Sequence, residues 1–232
     1  MSGRARRGPR PVGVIAIGAV VAIAIGVIAS LSLDEGDTDP IEISGAGEVQ
    51  RMLGGIRQLE QRLGRDDAPV TVEVFNDLQC EPCADYQLEV VDPLIEGPVR
   101  AGDAKLLFRH FTTSERASTI AALGAVAAGE QGDEWQFIEL FFRNQDEAAE
   151  HGVTDEFLER VAGAILEFNV EQWQQDFDDP EVQERIDADA ELAGQRRLPG
   201  EPAVVVTGPE GDRELVGAPS LDEVEAAVDA VG

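Results

Sequence analysis

Hydrophobic and polar positions along the chain change period several times, and each change marks an element. The first apolar segment is continuous: Val12 to Leu33 is a run of 22 residues with no charge and no strong polar group beyond Ser30 and Ser32. That is long enough to cross a bilayer as a helix. Val49, Met52, Ile56, Leu59 and Leu63 then recur at intervals of three and four, which predicts one apolar helical face from about Glu48, interrupted by Gly54-Gly55. Two heptads are too few for a coiled coil, so this face is expected to pack on the main domain. From Ala68 the period becomes two. Val70, Val72 and Val74 alternate with Thr71 and Glu73, predicting a strand entered through Pro69 and ending near Asn76-Asp77.

A helix is predicted from Ala84 to about Val91, with Tyr86, Val90 and Val91 for burial and Pro93 bending or ending it. Lys105 to Phe111 reads as a second strand. A long helical tract follows, in which Ile120, Leu123 and Ala127 form a small-residue face and Trp135, Ile138, Phe141 and Phe142 a bulky one. Thr154 caps a helix whose buried face is Phe157, Val161, Ile165 and Phe168, and Pro180 opens another that runs to Arg197 with Val182 and Ile186 on one side. The chain returns to β structure at Ala203–Thr207, turns through residues 208–212, and comes back through Glu214-Leu215-Val216 as a hairpin. Ser220 and Glu223 form a capping box, and Leu221, Val224, Val228 and Val231 give the closing helix its apolar side.

Charge adds an orientation and a compartment. Arg4, Arg6, Arg7 and Arg10 precede the apolar run, while Asp34, Glu35, Asp37 and Asp39 follow it, so the short tail is expected in the cytoplasm and the body outside. A cleaved signal peptide also starts basic and apolar, but its apolar region is only about 7–15 residues long, and length favours an anchor. Asp34 to Gly47, acidic and without a sustained apolar period, reads as a tether. The first 33 residues hold four arginines and no acid, so the rest carries 14 basic and 46 acidic side chains, a formal charge of −32. Such a surface is unsuited to nucleic acid and anionic lipid and keeps an exported domain soluble.

The chain contains two cysteines, in Cys80-Glu81-Pro82-Cys83, directly after the first predicted strand. A structural zinc site needs four ligands, and the only other soft ones, His110 and His151, do not match paired spacing. A purely structural disulfide here would close almost no loop and so would stabilise little. Redox chemistry is the remaining reading, and an extracytosolic compartment, where disulfides persist, agrees with it. Cys80 stands at the start of a helix, where unpaired N–H groups and the helix dipole favour a thiolate, and Cys83 lies one turn further in, placed to resolve a mixed disulfide. His110 and His151 are expected to be structural or surface residues, and Trp135 and Trp173 to pack in the helical tract.

The run Leu63-Gly64, Ala68-Pro69-Val70-Thr71-Val72 and Asp77-Leu78-Gln79-Cys80-Glu81-Pro82-Cys83 resembles the opening of the DsbA-like thiol oxidoreductases, a branch of the thioredoxin superfamily. The likeness continues through Ala127–Trp135, Phe141-Phe142 and Leu198-Pro199-Gly200-Glu201-Pro202-Ala203, and so covers most of residues 63–232. It implies an α/β thioredoxin-like fold with an inserted α-helical domain, here preceded by one N-terminal transmembrane helix. The expected organisation is a basic tail (1–11), an anchor (12–33), an acidic linker with a short helix (34–66), a first thioredoxin-fold part with the cysteines (67–112), the helical insertion (113–198) and a second thioredoxin-fold part (199–232). The resemblance also implies that Pro202 is the cis-proline facing the cysteines and that Glu201 and Pro202 contact substrate. A trans proline entering an edge strand is the alternative that sequence leaves open.

Three positions depart from the family. Glu81, beside Cys80, opposes a thiolate there. Glu201 precedes Pro202, where an uncharged residue is commoner. Val74 occupies the place of the buried acid often found six residues before the first cysteine, and alternation points Glu73 to the other face. Asp77, nearer in sequence, is assigned to the turn. Pro82 resembles thioredoxin more than DsbA. With Glu81 and Pro82 tuning the couple, a weaker oxidant than DsbA is expected, or a reductant or isomerase. The expected function is a membrane-tethered, extracytoplasmic thiol-disulfide oxidoreductase acting through Cys80 and Cys83 without metal or cofactor. Its expected partners are exported cysteine-containing proteins and a membrane or extracytoplasmic redox partner. The alternatives are a non-catalytic binding protein or chaperone with a structural disulfide, and a dedicated reductant of the cytochrome-maturation type, against which the long insertion argues.

Overall fold

A computed structural model describes residues 40–112 and 116–232. The basic tail, the apolar run 12–33 and the start of the linker lie outside the described residues, among which no helix is long and apolar enough to cross a membrane. Residues from Ile41 to Gly232 form one compact unit. Its frame is a six-stranded sheet in the order β1-β2-β4-β3-β5-β6. These strands are β1 (Gln58–Leu59), β2 (Arg62–Leu63), β3 (Val70–Asn76), β4 (Ala104–His110), β5 (Ala203–Gly208) and β6 (Gly211–Val216). β3 pairs parallel with β4, aligning Val74 with Phe108, and antiparallel with β5, aligning Phe75 with Ala203.

β3 is buried on both faces, which fits its near-continuous apolar character. Val70, Val72 and Val74 join Leu106, Phe108, Val204 and Val206 in the main core. Phe75 and Val205 face the other way, against Ala193 and Leu198. Two parallel strands need a long crossover, and here it is helical. It starts as α2 (Glu81–Tyr86) and continues through a π-wound turn (Gln87–Val91), α3 (Asp92–Leu94) and a second π-wound segment (Ile95–Val99) that kinks at Gly97, whose backbone is non-helical. Pro93 therefore does not end the helix, one of the two outcomes expected of it. A proline lacks the N–H that bonds four residues back, and the widened turn before it absorbs that interruption.

The segment before β3 also differs from expectation. The helical face from Val49 to Leu63 is helix only over α1 (Ala46–Leu53). Gly54 stops it, Gly55 adopts φ 78°, and the chain reverses at Glu60 to form the β1–β2 hairpin. Leu63 is fully buried opposite Leu106, whereas Leu59, predicted on the same helical face, is exposed. The open edge of β4 offers ladder hydrogen bonds, and the glycine pair removes the helix that competes with them. The predicted tether is docked at its end, since Ile41 is buried and Ser44 bonds to Asn144.

The insertion consists of α4 (Arg116–Gly129), α5 (Glu134–Arg143), α6 (Gln145–His151), α7 (Asp155–Gly163), α8 (Val170–Asp176) and α9 (Pro180–Arg196). The α4 face differs in part from the one read in the sequence: Ala127 is buried as expected, but Ile120 and Leu123 are half-buried, while Ala121, Gly124, Ala125 and Ala128 are enclosed. Its other side packs Ala122 and Val126 on Val182 and Ile186 of α9. Trp135 lies edge-on to Phe108 and donates its indole N–H to Gln61 O at 2.9 Å, so it ties α5 to the sheet. Trp173 donates to Gly124 O at 2.8 Å. Thr154 accepts from Phe157 N–H, and α10 (Leu221–Val231) has the complete Ser220–Glu223 capping box.

A Cβ on Gly124 would meet Phe137 Cζ at 2.8 Å and Trp173 Cζ2 at 3.4 Å. Gly124→Val is expected to lose about 1–3 kcal/mol of stability through overpacking, despite removing a helical glycine. Urea unfolding measures this, and an unchanged midpoint would contradict the packing described.

Candidate active site

β3 delivers the chain to the site. After Asn76 the buried Asp77 makes the turn, its Oδ1 accepting Gln79 N–H at 2.8 Å and its carbonyl accepting Cys80 N–H at 3.1 Å. Cys80 then takes the N-cap position of α2, with extended backbone (φ −79°, ψ 115°) and no side-chain capping bond. Its carbonyl accepts the N–H groups of Cys83 (3.0 Å) and Ala84 (3.3 Å), the first bonds of the helix. Glu81 and Pro82 occupy the opening turn, where a proline sacrifices no intrahelical bond. Both are exposed.

Cys80 and Cys83 are joined as a disulfide with their Cα atoms 5.1 Å apart. Cys80 is half-buried, whereas Cys83 is completely enclosed. A thiolate approaching from solvent therefore has Cys80 as its target. The Glu201–Pro202 peptide is cis. Pro202 is buried and Glu201 half-buried. Since Ala203 pairs with Phe75, Pro202 lies at the same end of the sheet from which the chain leaves β3 for the cysteines.

Several features were not read from the sequence. Gln145, the first residue of α6, donates its side-chain N–H to the carbonyls of Leu78 and Cys80, the latter at 3.2 Å. Gln87, one turn beyond Cys83, donates to Glu139 Oε1 at 2.7 Å, and Arg143 bridges Glu139 Oε2 and Asp92. This chain of polar contacts fastens the cysteine-bearing helix to α5. Burial and the nearby Asp92 carboxylate push Glu139 up to about 8, against the pull of Arg143 and Gln87. Hydrophobic periodicity carries no signal for Glu139, which occupies a helix position otherwise filled by apolar residues.

The remaining candidates lie elsewhere. Glu73 is on the opposite face from Val74, as alternation implies, and binds Arg109 (2.6 Å) and Arg196 (3.1 Å). Arg109 also binds Asp189, whose Oδ2 accepts His110 N–H. His110 Nε2 lies 3.0 Å from Glu134, and His151 is 3.5 Å from Glu147. Both histidines are structural. Among the described residues no group of three or more His, Cys, Asp or Glu is arranged to hold a metal ion.

The family model Thioredoxin_4, described as Thioredoxin, matches residues 58–230. The chain belongs to this family. A thioredoxin-like oxidoreductase from Silicibacter pomeroyi DSS-3 is 26% identical and superposes with a TM-score of 0.60, covering 72% of this chain and 89% of that one. Oxidised BdbD from Bacillus subtilis is 22% identical with a TM-score of 0.65, covering 75% of this chain and 95% of that one, a likeness of fold. The probable disulfide bond formation protein D of Bacillus anthracis is 28% identical over 173 residues, covering 73% of this chain and 77% of that protein. With its disulfide at a helix N-terminus in this fold, the protein is a thiol:disulfide oxidoreductase.

The raised Glu139 has a consequence for stability. Between its ordinary value of 4.5 and about 8, the folded protein keeps a proton that the unfolded chain has released. The contribution is therefore fully present below pH 4.5 and is lost as pH rises through the folded value. Thermal unfolding from pH 5 to 8 is expected to show a falling midpoint, and a shallower fall in Glu139→Gln. Parallel slopes in the two proteins would contradict this.

Proposed function

We propose that the protein forms disulfides in exported proteins, held at the outer face of the cell membrane by residues 12–33. The observation that carries this reading is the asymmetry of the pair: Cys80 is half-exposed at a helix N-terminus and Cys83 is sealed beneath it. A substrate thiolate attacks Cys80 Sγ, the Cys80–Cys83 bond breaks, and Cys83 leaves as a thiolate that takes up a proton. The second substrate cysteine, having lost its proton, attacks the substrate sulfur of the mixed disulfide and expels Cys80. The substrate has lost two electrons and two protons; the protein has gained both electrons and the proton on Cys83, Cys80 leaves as a thiolate, and the other proton goes to solvent. A membrane or extracytoplasmic redox partner then restores the Cys80–Cys83 bond.

Oxidation is favoured over reduction because the Bacillus relatives are named disulfide bond formation proteins. Glu81 is exposed, so its charge reaches the Cys80 sulfur largely through water, which weakens its opposition to a thiolate. Glu81 and the half-buried Glu201 still lower the oxidising strength below that of DsbA. The uncharged run 12–33, with arginines before it and acids after it, supports the tether and its orientation.

The full chain is expected to oxidise a reduced dithiol peptide and to lose this activity in Cys80→Ser; Cys83→Ala, given the same peptide in its disulfide form, is expected to accumulate a mixed disulfide, its Cys80 thiolate displacing one peptide sulfur. Insulin reduction without peptide oxidation would make it a reductant, and inactivity in both assays a binding protein. Removing residues 1–33 is expected to move the protein from the membrane fraction to the soluble one. Retention in membranes after that deletion would refute the tether.

A further inference from the structure

Opening the disulfide removes the covalent tie between Cys80 and Cys83. What then keeps Cys80 at the mouth of α2, beside the Cys83 and Ala84 N–H groups that donate to its carbonyl, is hydrogen bonding to the loop that carries it. Two anchors are present. One is local, the Asp77 turn that accepts Gln79 N–H and Cys80 N–H. The other comes from the helical insertion, where the half-buried Gln145 donates to both Leu78 O and Cys80 O.

Gln145 is itself held in place. The preceding residue, Asn144, is buried between α5 and α6; its Oδ1 accepts Ser44 N–H at 2.8 Å and Ser44 Oγ–H at 3.1 Å. Its Nδ2 donates to Leu140 O at 2.7 Å and Ser44 O at 3.1 Å. The backbone that carries Gln145 is therefore fixed to α5 and to the segment before α1. An amide donor on such a support reaches the cysteine loop without first being ordered, which is the condition under which one hydrogen bond has its full effect.

We propose that Gln145 is a positioning residue for disulfide exchange. By holding the Leu78 and Cys80 carbonyls it keeps the Cys80 sulfur at the N-terminus of α2 when the disulfide opens. The effect follows from the helix-terminus stabilisation of a thiolate, which depends on the sulfur staying within the first turn. It rests on exchange through Cys80. It favours the reduced form and so strengthens the protein as an oxidant.

The test uses the full chain with Gln145→Met, which keeps length without an N–H donor, and Gln145→Lys, which keeps donors and adds positive charge. Equilibration against glutathione reads the redox equilibrium without any protein substrate, and ultraviolet absorbance against pH reads the Cys80 thiolate. Gln145→Met is expected to shift the glutathione equilibrium about three- to tenfold toward the disulfide, the range if its two bonds together favour the reduced form by the net worth of one, and to raise the thiolate midpoint. Gln145→Lys is expected to restore both to the wild-type values or beyond. A folded Gln145→Met with unchanged equilibrium and midpoint overturns the proposal, as does a Lys variant shifting in the same direction as Met. If Gln145→Met does not fold, Gln145→Glu replaces it: an ionised carboxylate cannot donate to the carbonyls, so its equilibrium must move toward the disulfide, and an unmoved one overturns the proposal. Failure of the wild type to oxidise the dithiol peptide, with a normal glutathione response, would instead refute disulfide formation and leave the Gln145 result readable.

Discussion

The whole site depends on the turn from β3 into α2. A strand buried on both faces ends at Asn76, Asp77 reverses the chain with its side chain and its carbonyl, and Cys80 arrives as the N-cap of a helix. Because the turn is short, the rigidity of the central strand is passed directly to the sulfur. The same geometry separates the two cysteines by environment. One faces solvent beside the helix N-terminus and the other is enclosed one turn below. Attack and resolution are thereby assigned to different sulfurs before any substrate is present.

The helical insertion has a second relation to this turn. It is fastened to the sheet through Trp135 and Gln61, to the cysteine-bearing helix through Gln87, Glu139, Arg143 and Asp92, and to the cysteine loop through Gln145. Asp92 and Glu139 both bind Arg143, and breaking such a set by removing one member leaves a buried charge without compensation. On the far side of the sheet, Glu73, Arg109, Asp189 and Arg196 close a separate cluster that fixes α9 over β3 and β4. Charged groups are thus used inside this acidic protein as cross-ties between sheet and insertion.

Much of the architecture was legible along the chain because it is encoded locally. The alternation in β3, the Thr154 cap, the 203–216 hairpin and the Ser220–Glu223 box each depend on residues within a few positions of one another. The misreadings share one cause. Val49 to Leu63 has a helical period, but the glycine pair and the free edge of β4 turn its second half into a hairpin. In α4 the larger side chains suggested the buried face, while close approach of Phe137 to Gly124 selected the alanines instead. In each case tertiary contacts overrode a local preference of about 1 kcal/mol.

The sequence by itself determined the chemistry: two cysteines in the chain, at a spacing that closes a disulfide, placed between a β-branched strand and a helix. It also located Pro202 by its resemblance to a known pattern. Only the tertiary structure decided what surrounds the sulfurs. Gln145 reaches Cys80 across 65 residues, Gln87 meets Glu139 across 52, and Arg196 finds Glu73 across 123. No periodicity or short motif links positions so far apart, because these pairings exist only once the insertion has packed onto the sheet. Hydrogen bonds and buried charges act over a few ångströms in space, and distance along the chain is no guide to them.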